Sequence, residues 1–122
     1  MDVLLYAAAG LTAMWGVAHL SATRGAVAGF EKLSADNRRI ITMEWIAEGV
    51  ALVSLAALVA AVTAVDAATR VSSAAYAVAI GTLIVMALVS LATGFRIAFL
   101  PFRLCPFIFG VSAALIAAGA WL

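Results

Sequence analysis

Apolar residues fill four long runs, and polar residues are gathered into the gaps between them. The runs are Val3–Leu20, Ile40–Val65, Val71–Phe95 and Leu104–Leu122. A bilayer helix needs about 20 predominantly apolar residues. Membrane barrels instead alternate apolar and polar positions in segments of about 10. These runs are continuously apolar, and a helix satisfies its own backbone hydrogen bonds in lipid. The pattern predicts an all-α, four-helix transmembrane bundle with antiparallel neighbours, one integral membrane domain over residues 1–122. The expected spans are 3–20, 40–65, 71–100 and 104–122, with a connection at 21–39.

Local signals refine these limits. Ser34 or Asp36 can cap the second helix, placing Asn37, Arg38 and Arg39 in its first turn. Ser72 or Ser73 can cap the third, after a tight turn that starts at Asp66. Pro101 ends the third helix near Leu100, and Pro106 suits the first turn of the fourth. Started there, the fourth helix has 17 residues, at the lower limit for spanning. Phe95, Phe99, Phe102, Phe107 and Phe109 surround the two prolines as a structural elbow or a lipid contact. Within 21–39, Val27, Phe30 and Leu33 recur at helical spacing, which fits either a short interfacial helix or an ordinary loop.

Composition excludes a soluble domain. The chain is 67% hydrophobic and 11% charged, against roughly 25% charged in a typical soluble domain. A net charge of +1 without a basic stripe gives no surface for nucleic acid. A single cysteine, Cys105, excludes an intramolecular disulfide. A cleaved signal would need a basic start. No Lys or Arg precedes Arg24, so the first run is expected to persist as a helix. One lysine against six arginines, with abundant alanine, hints at a GC-rich bacterial source.

Charge also orients the chain. Cytoplasmic loops are enriched in Lys and Arg. Arg24, Lys32, Arg38 and Arg39 lie in the first connection, and Arg96 and Arg103 flank the third. The second has only Arg70. In a bacterial inner membrane, the first and third connections are expected in the cytoplasm. Both termini and the Asp66–Arg70 turn are expected outside. Trp121 then fits an outer-leaflet anchor, while Trp15 and Trp45 read as interface or core residues.

The candidate chemistry lies in four residues: His19, Glu44, Glu48 and Arg96. Glu44 and Glu48 stand four apart, on one helix face. If the helix enters the membrane near Ile40, Glu48 is about 12 Å deep. An acidic residue at a helix centre costs roughly 2.5–3.5 kcal/mol, so both acids are expected to face inward. His19 and Arg96 end the first and third runs on the same side, with Thr42, Asn37 and Cys105 nearby. One reading is a cytoplasm-facing site for a small ligand, cation or proton, since membrane acids and imidazoles carry protons and histidine titrates near neutral pH. A second is structural, with the ion pairs fixing helix register in an accessory subunit of a larger membrane complex. A third is an enzyme acting on a lipid-soluble substrate, with one carboxylate as general acid. No cofactor is expected; Glu44, Glu48 and His19 are the only residues to hold a metal, at no standard spacing.

Gly110, Ala114 and Ala118 recur four apart on the fourth helix, beside Ala113 and Ala117, and Ser90 and Gly94 do the same on the third. Small residues at this spacing let membrane helices approach, either within the bundle or in a homo-oligomer. Cys105 reads as an apolar packer or, beside Arg103, a reactive thiol. Helix rotations stay open, because periodicity gives no inner face when every face is apolar.

The first helix ends Trp15-Gly16-Val17-Ala18-His19-Leu20 and the second opens Met43-Glu44-Trp45-Ile46-Ala47-Glu48-Gly49. In this layout the chain resembles the small bacterial four-helix membrane proteins of the DoxX-like kind. The resemblance implies the fold and, by analogy with some members, a link to quinone or redox complexes; it assigns no residue a role. The set of His, two Glu and Trp is loosely similar to the emopamil-binding sterol isomerases, at a different spacing and with fewer helices. Small multidrug exporters also have four helices, but their intramembrane Glu lies in the first, which here has no acid after Asp2.

Overall fold

A computed structural model describes all 122 residues. Four helices account for nearly the whole chain: α1 (Asp2–Ala28), α2 (Ala35–Asp66), α3 (Arg70–Thr93) and α4 (Leu100–Trp121). All four are long and apolar enough to cross a bilayer. Even α4, with 22 residues, reaches about 33 Å at 1.5 Å per residue, matching a hydrocarbon core of about 30 Å.

The helix ends follow local chemistry, and several differ from the sequence expectation. Helix α1 continues two turns beyond Leu20 to Ala28. Val27 is buried as part of this same helix, so no separate interfacial helix forms in 21–39. Gly29 closes α1, and the turn to α2 contains Lys32 at φ 54°, the one non-glycine residue with a positive φ. Ser34 caps α2 by accepting the Asn37 amide at 3.1 Å, while Asp36 pairs with Arg39 at 3.0 Å. Thr69, not Ser72 or Ser73, caps α3, accepting the Ser72 amide at 3.0 Å. The Ser72 hydroxyl is spent on the Asp66 carbonyl, which closes the tight turn.

The aromatic elbow is also redistributed. Helix α3 stops at Thr93, well before Leu100. The amides of Gly94 and Phe95 both bond the Ser90 carbonyl, at 2.8 and 3.0 Å. Pro101 therefore lies in the first turn of α4 rather than at the end of α3, where its missing N–H would have had no helical partner. Pro106 falls inside α4 and removes one of its interior bonds. The earlier start gives α4 its 22 residues instead of 17.

Helix α1 packs along α2 and α4, α3 packs along α4, and α2 meets α3 least. Leu5, Leu52, Val59, Tyr76, Leu83, Phe109 and Ile116 are the large members of the core. Between α2 and α3, the buried Tyr76 and Thr63 hydroxyls bond at 2.9 Å. Helix α4 turns Phe109, Ser112, Ala113, Ile116 and Gly119 inward. Gly110 and Ala114 are exposed and Ala118 is half-buried, so that small-residue face is not the seam of the bundle.

The close approaches occur at other glycines. A Cβ at Gly16 would meet Val53 Cγ2 at 2.9 Å, Leu52 Cβ at 3.0 Å and the Gly49 carbonyl oxygen at 3.1 Å. One at Gly49 would lie 2.6 Å from Leu20 Cγ. At Gly119 it would meet Leu5 Cγ at 2.8 Å. At Gly16 two of the obstacles are a Cβ and a backbone oxygen, which cannot rotate away. Gly16→Ala is therefore expected to lower stability by about 1–3 kcal/mol, the usual penalty of overpacking. Gly10→Ala, with nothing within 4 Å, is expected to be neutral or to stabilise by up to about 1 kcal/mol. Thermal melts in detergent, followed by circular dichroism, compare the two.

Candidate functional site

The Gly16–Gly49 contact brings the next turns of α1 and α2 together, and His19, Trp45 and Glu48 meet there. The Trp45 indole N–H donates to the His19 carbonyl oxygen at 2.8 Å. The His19 imidazole stacks on the same indole, with centroids 4.2 Å apart and planes 12° from parallel. Trp45 thus fixes both the backbone and the ring of His19. Phe102 from α4 meets Trp45 edge-on at 5.8 Å, and Phe99 in turn meets Phe102 at 6.0 Å. Phe102, in the first turn of α4, therefore covers one side of Trp45, with Phe99 behind it.

His19 Nε2 faces Glu48 Oε2 at 3.6 Å, within ion-pair reach but beyond a hydrogen bond. The His19 side chain is 9% exposed and that of Glu48 is 41% exposed. Nε2 has no hydrogen-bond partner, and neither has the buried indole N–H of Trp15, one turn earlier on α1. Buried polar atoms are nearly always bonded, so two such atoms on adjacent turns are unusual. Cys105 of α4, like Trp15, packs against the core. Its thiol donates to the Pro101 carbonyl at 3.4 Å, as a packing cysteine would.

Only two of the four sequence candidates come together. Glu44 is exposed and has no ion-pair partner. The expectation that both acids look inward is corrected for Glu44: the buried face of α2 runs through Gly49, Leu52, Ala56, Val59 and Thr63, and Glu44 lies off it. Arg96 is exposed in the segment between α3 and α4 and pairs with neither acid. It leaves the bundle because α3 ends before it. No group of three His, Cys, Asp or Glu side chains converges, so His19, Glu44 and Glu48 do not form a set of metal ligands.

The clamp by Trp45 is not legible in the sequence. Its adjacency to Glu44 was visible, but a tryptophan near a helix end reads equally well as a membrane-interface residue. Comparison with known proteins finds no matching family model, no matching curated protein and no matching solved structure.

Trp45→Phe keeps a ring against His19 and deletes the N–H donor. It is expected to cost about 1 kcal/mol, the net worth of one hydrogen bond. Trp45→Ala also removes the stacked ring and is expected to cost about 3–5 kcal/mol. Chemical denaturation in mixed micelles measures the two steps separately.

Proposed function

We propose that the chain is a multi-pass protein of a bacterial inner membrane in which His19 and Glu48 form a proton-exchanging or small-ligand-binding pair, reached from the cytoplasmic end. Four helices of spanning length support the membrane placement. Neighbouring helices are taken as antiparallel, because contacts descend along α2 as they ascend along α1: Gly16 with Leu52, His19 with Glu48, Val27 with Arg38. Both termini are placed outside by six of the seven basic residues lying at the opposite end. The DoxX-like layout is consistent with this arrangement and adds no residue role.

The observation that carries the proposal is a histidine nine-tenths buried, its Nε2 unbonded and turned toward a half-open carboxylate. One proton shared between an imidazole and a carboxylate converts a charged pair into a neutral one at little cost in geometry. Intramembrane acids and imidazoles in such settings mark proton and ion paths. A cation or a hydrogen-bonding ligand would bridge the same 3.6 Å gap. Glu44 and Arg96 take no part in it.

A second reading, an accessory or self-associating subunit, draws on a different face. Gly110 and Ala114 help line an apolar groove of about 330 Å³ between α3 and α4, and small exposed residues suit helix association in lipid. In that case His19 and Glu48 only lock the bundle.

Proton flux into liposomes, read with an internal pH dye, separates these readings. Glu48→Gln and His19→Gln are each expected to cut flux at least about ten-fold, as expected for loss of a proton-transfer group; Glu48→Gln should leave the melting temperature nearly unchanged, whereas His19→Gln also loses the stacking on Trp45 and should lower it. Glu44→Gln is expected to match the parent. A lowered melting temperature in Glu48→Gln, with no flux in the parent, would favour the locking role.

A further inference from the structure

We infer that a cavity between α1 and α2 at the arginine-rich end binds the phosphate of an anionic lipid headgroup. This rests on the membrane placement proposed above and is independent of any role of His19 and Glu48. The cavity holds about 190 Å³ and is lined by Thr23, Arg24, Val27, Ala28, Arg38 and Thr42. Arg24 and Arg38, on different helices, thus both border one recess, and both are exposed at its mouth. Neither has a carboxylate partner: the ion pairs of the chain are His19–Glu48 and Arg39–Asp36. Arg38 spends one N–H on the Val27 carbonyl at 3.4 Å, near the free end of α1. Its other donors and all those of Arg24 remain available.

Two exposed guanidiniums without carboxylate partners at the mouth of one recess attract an anion, and their forked donors suit phosphate oxygens. The hydroxyls add a second element. Thr23 donates to the Leu20 carbonyl at 2.8 Å and Thr42 to the Arg38 carbonyl at 2.7 Å. Both therefore offer lone pairs, which accept from a hydroxyl such as those of a glycerol headgroup. Val27 and Ala28 give an apolar wall for the glycerol and acyl region. The level also fits, since the cavity lies at the end where the apolar run of α1 stops, at headgroup depth. Basic recesses between membrane helices on the cytoplasmic side recognise lipid phosphates in this way. Free inorganic phosphate has the same oxyanion and lacks the hydroxyl and the chain.

Native mass spectrometry of the purified chain, titrated with short-chain phosphatidylglycerol, phosphatidylcholine or inorganic phosphate, tests this. Both lipids carry the phosphate, but phosphatidylcholine adds a trimethylammonium that the two arginines repel and lacks the glycerol hydroxyls, so phosphatidylglycerol is expected to bind about ten-fold more tightly. Arg24→Gln and Arg38→Gln are each expected to abolish that preference. Arg39→Gln, whose parent residue is held by Asp36, and Arg70→Gln, at the other end, are expected to retain it. The ion pairs of the fold do not involve Arg24, so its variant separates binding from folding; circular dichroism verifies helicity. Inorganic phosphate binding that depends on Arg24 and Arg38 and is not displaced by phosphatidylglycerol would support the oxyanion site and assign it to the free ion. An equal fall in all four variants, or none in Arg24→Gln, overturns the proposal. Flotation with vesicles separates the two levels: a chain that does not float overturns the membrane placement, and one that floats without lipid preference overturns the cavity alone.

Discussion

The near-contact of two backbones at Gly16 and Gly49 governs the arrangement of this bundle. Each glycine would place a Cβ within 3.3 Å of the other's carbonyl oxygen. In lipid there is little hydrophobic drive between helices, and dispersion at close range supplies the association instead. The interaxial distance set there decides what the following turn can do. It allows the Trp45 indole to reach the His19 carbonyl and the imidazole to reach Glu48. Side chains in place of those hydrogens would hold the helices apart and disperse all three.

The same economy explains the outer surface. Twenty-one of 122 residues are buried, and the exposed set includes Val3, Val65, Val71 and Leu122, each at 75% or more. In water that surface would collapse or aggregate. Against hydrocarbon it is the preferred state, and only backbone and polar side chains need partners. Threonines and serines in the helices accordingly bond back to their own carbonyls, as Thr63, Thr82 and Thr93 do. Against this background three buried polar atoms lack a partner, the Ser112 hydroxyl and the Trp15 and His19 nitrogens, and the two nitrogens lie on adjacent turns. They are the strongest reason to assign chemistry to this end of the bundle.

Much of the fold was legible in the chain, and its errors are informative. Four helices follow from run length alone. A third span of 71–100 takes Pro101 as a terminator, whereas a proline in a first turn starts a helix equally well, and the bonds that end α3 come from Gly94 and Phe95. The extent of α1 was underestimated because its last two turns carry polar residues and still pack, through Thr23 and Val27, on α2. The four-residue site was half legible. His19 and Glu48 were found by being ionisable within apolar runs. Glu44 and Arg96 met the same criterion and stand apart, because shared depth along the chain does not give shared rotation about a helix axis.

Sequence by itself determined the number of helices, their spanning length and apolar character, and the asymmetry of charge between the two ends. Each is a sum over many residues, so no single contact can reverse it. Tertiary structure decided which faces turn inward, and with them the pairing of His19 with Glu48, the clamp by Trp45, the isolation of Glu44 and the cavity between Arg24 and Arg38. In a helix that is apolar all round, hydrophobic pattern carries no information about rotation. A few close contacts, chiefly at Gly16, Gly49 and Gly119, supply that information instead, and they exist only once the helices are packed.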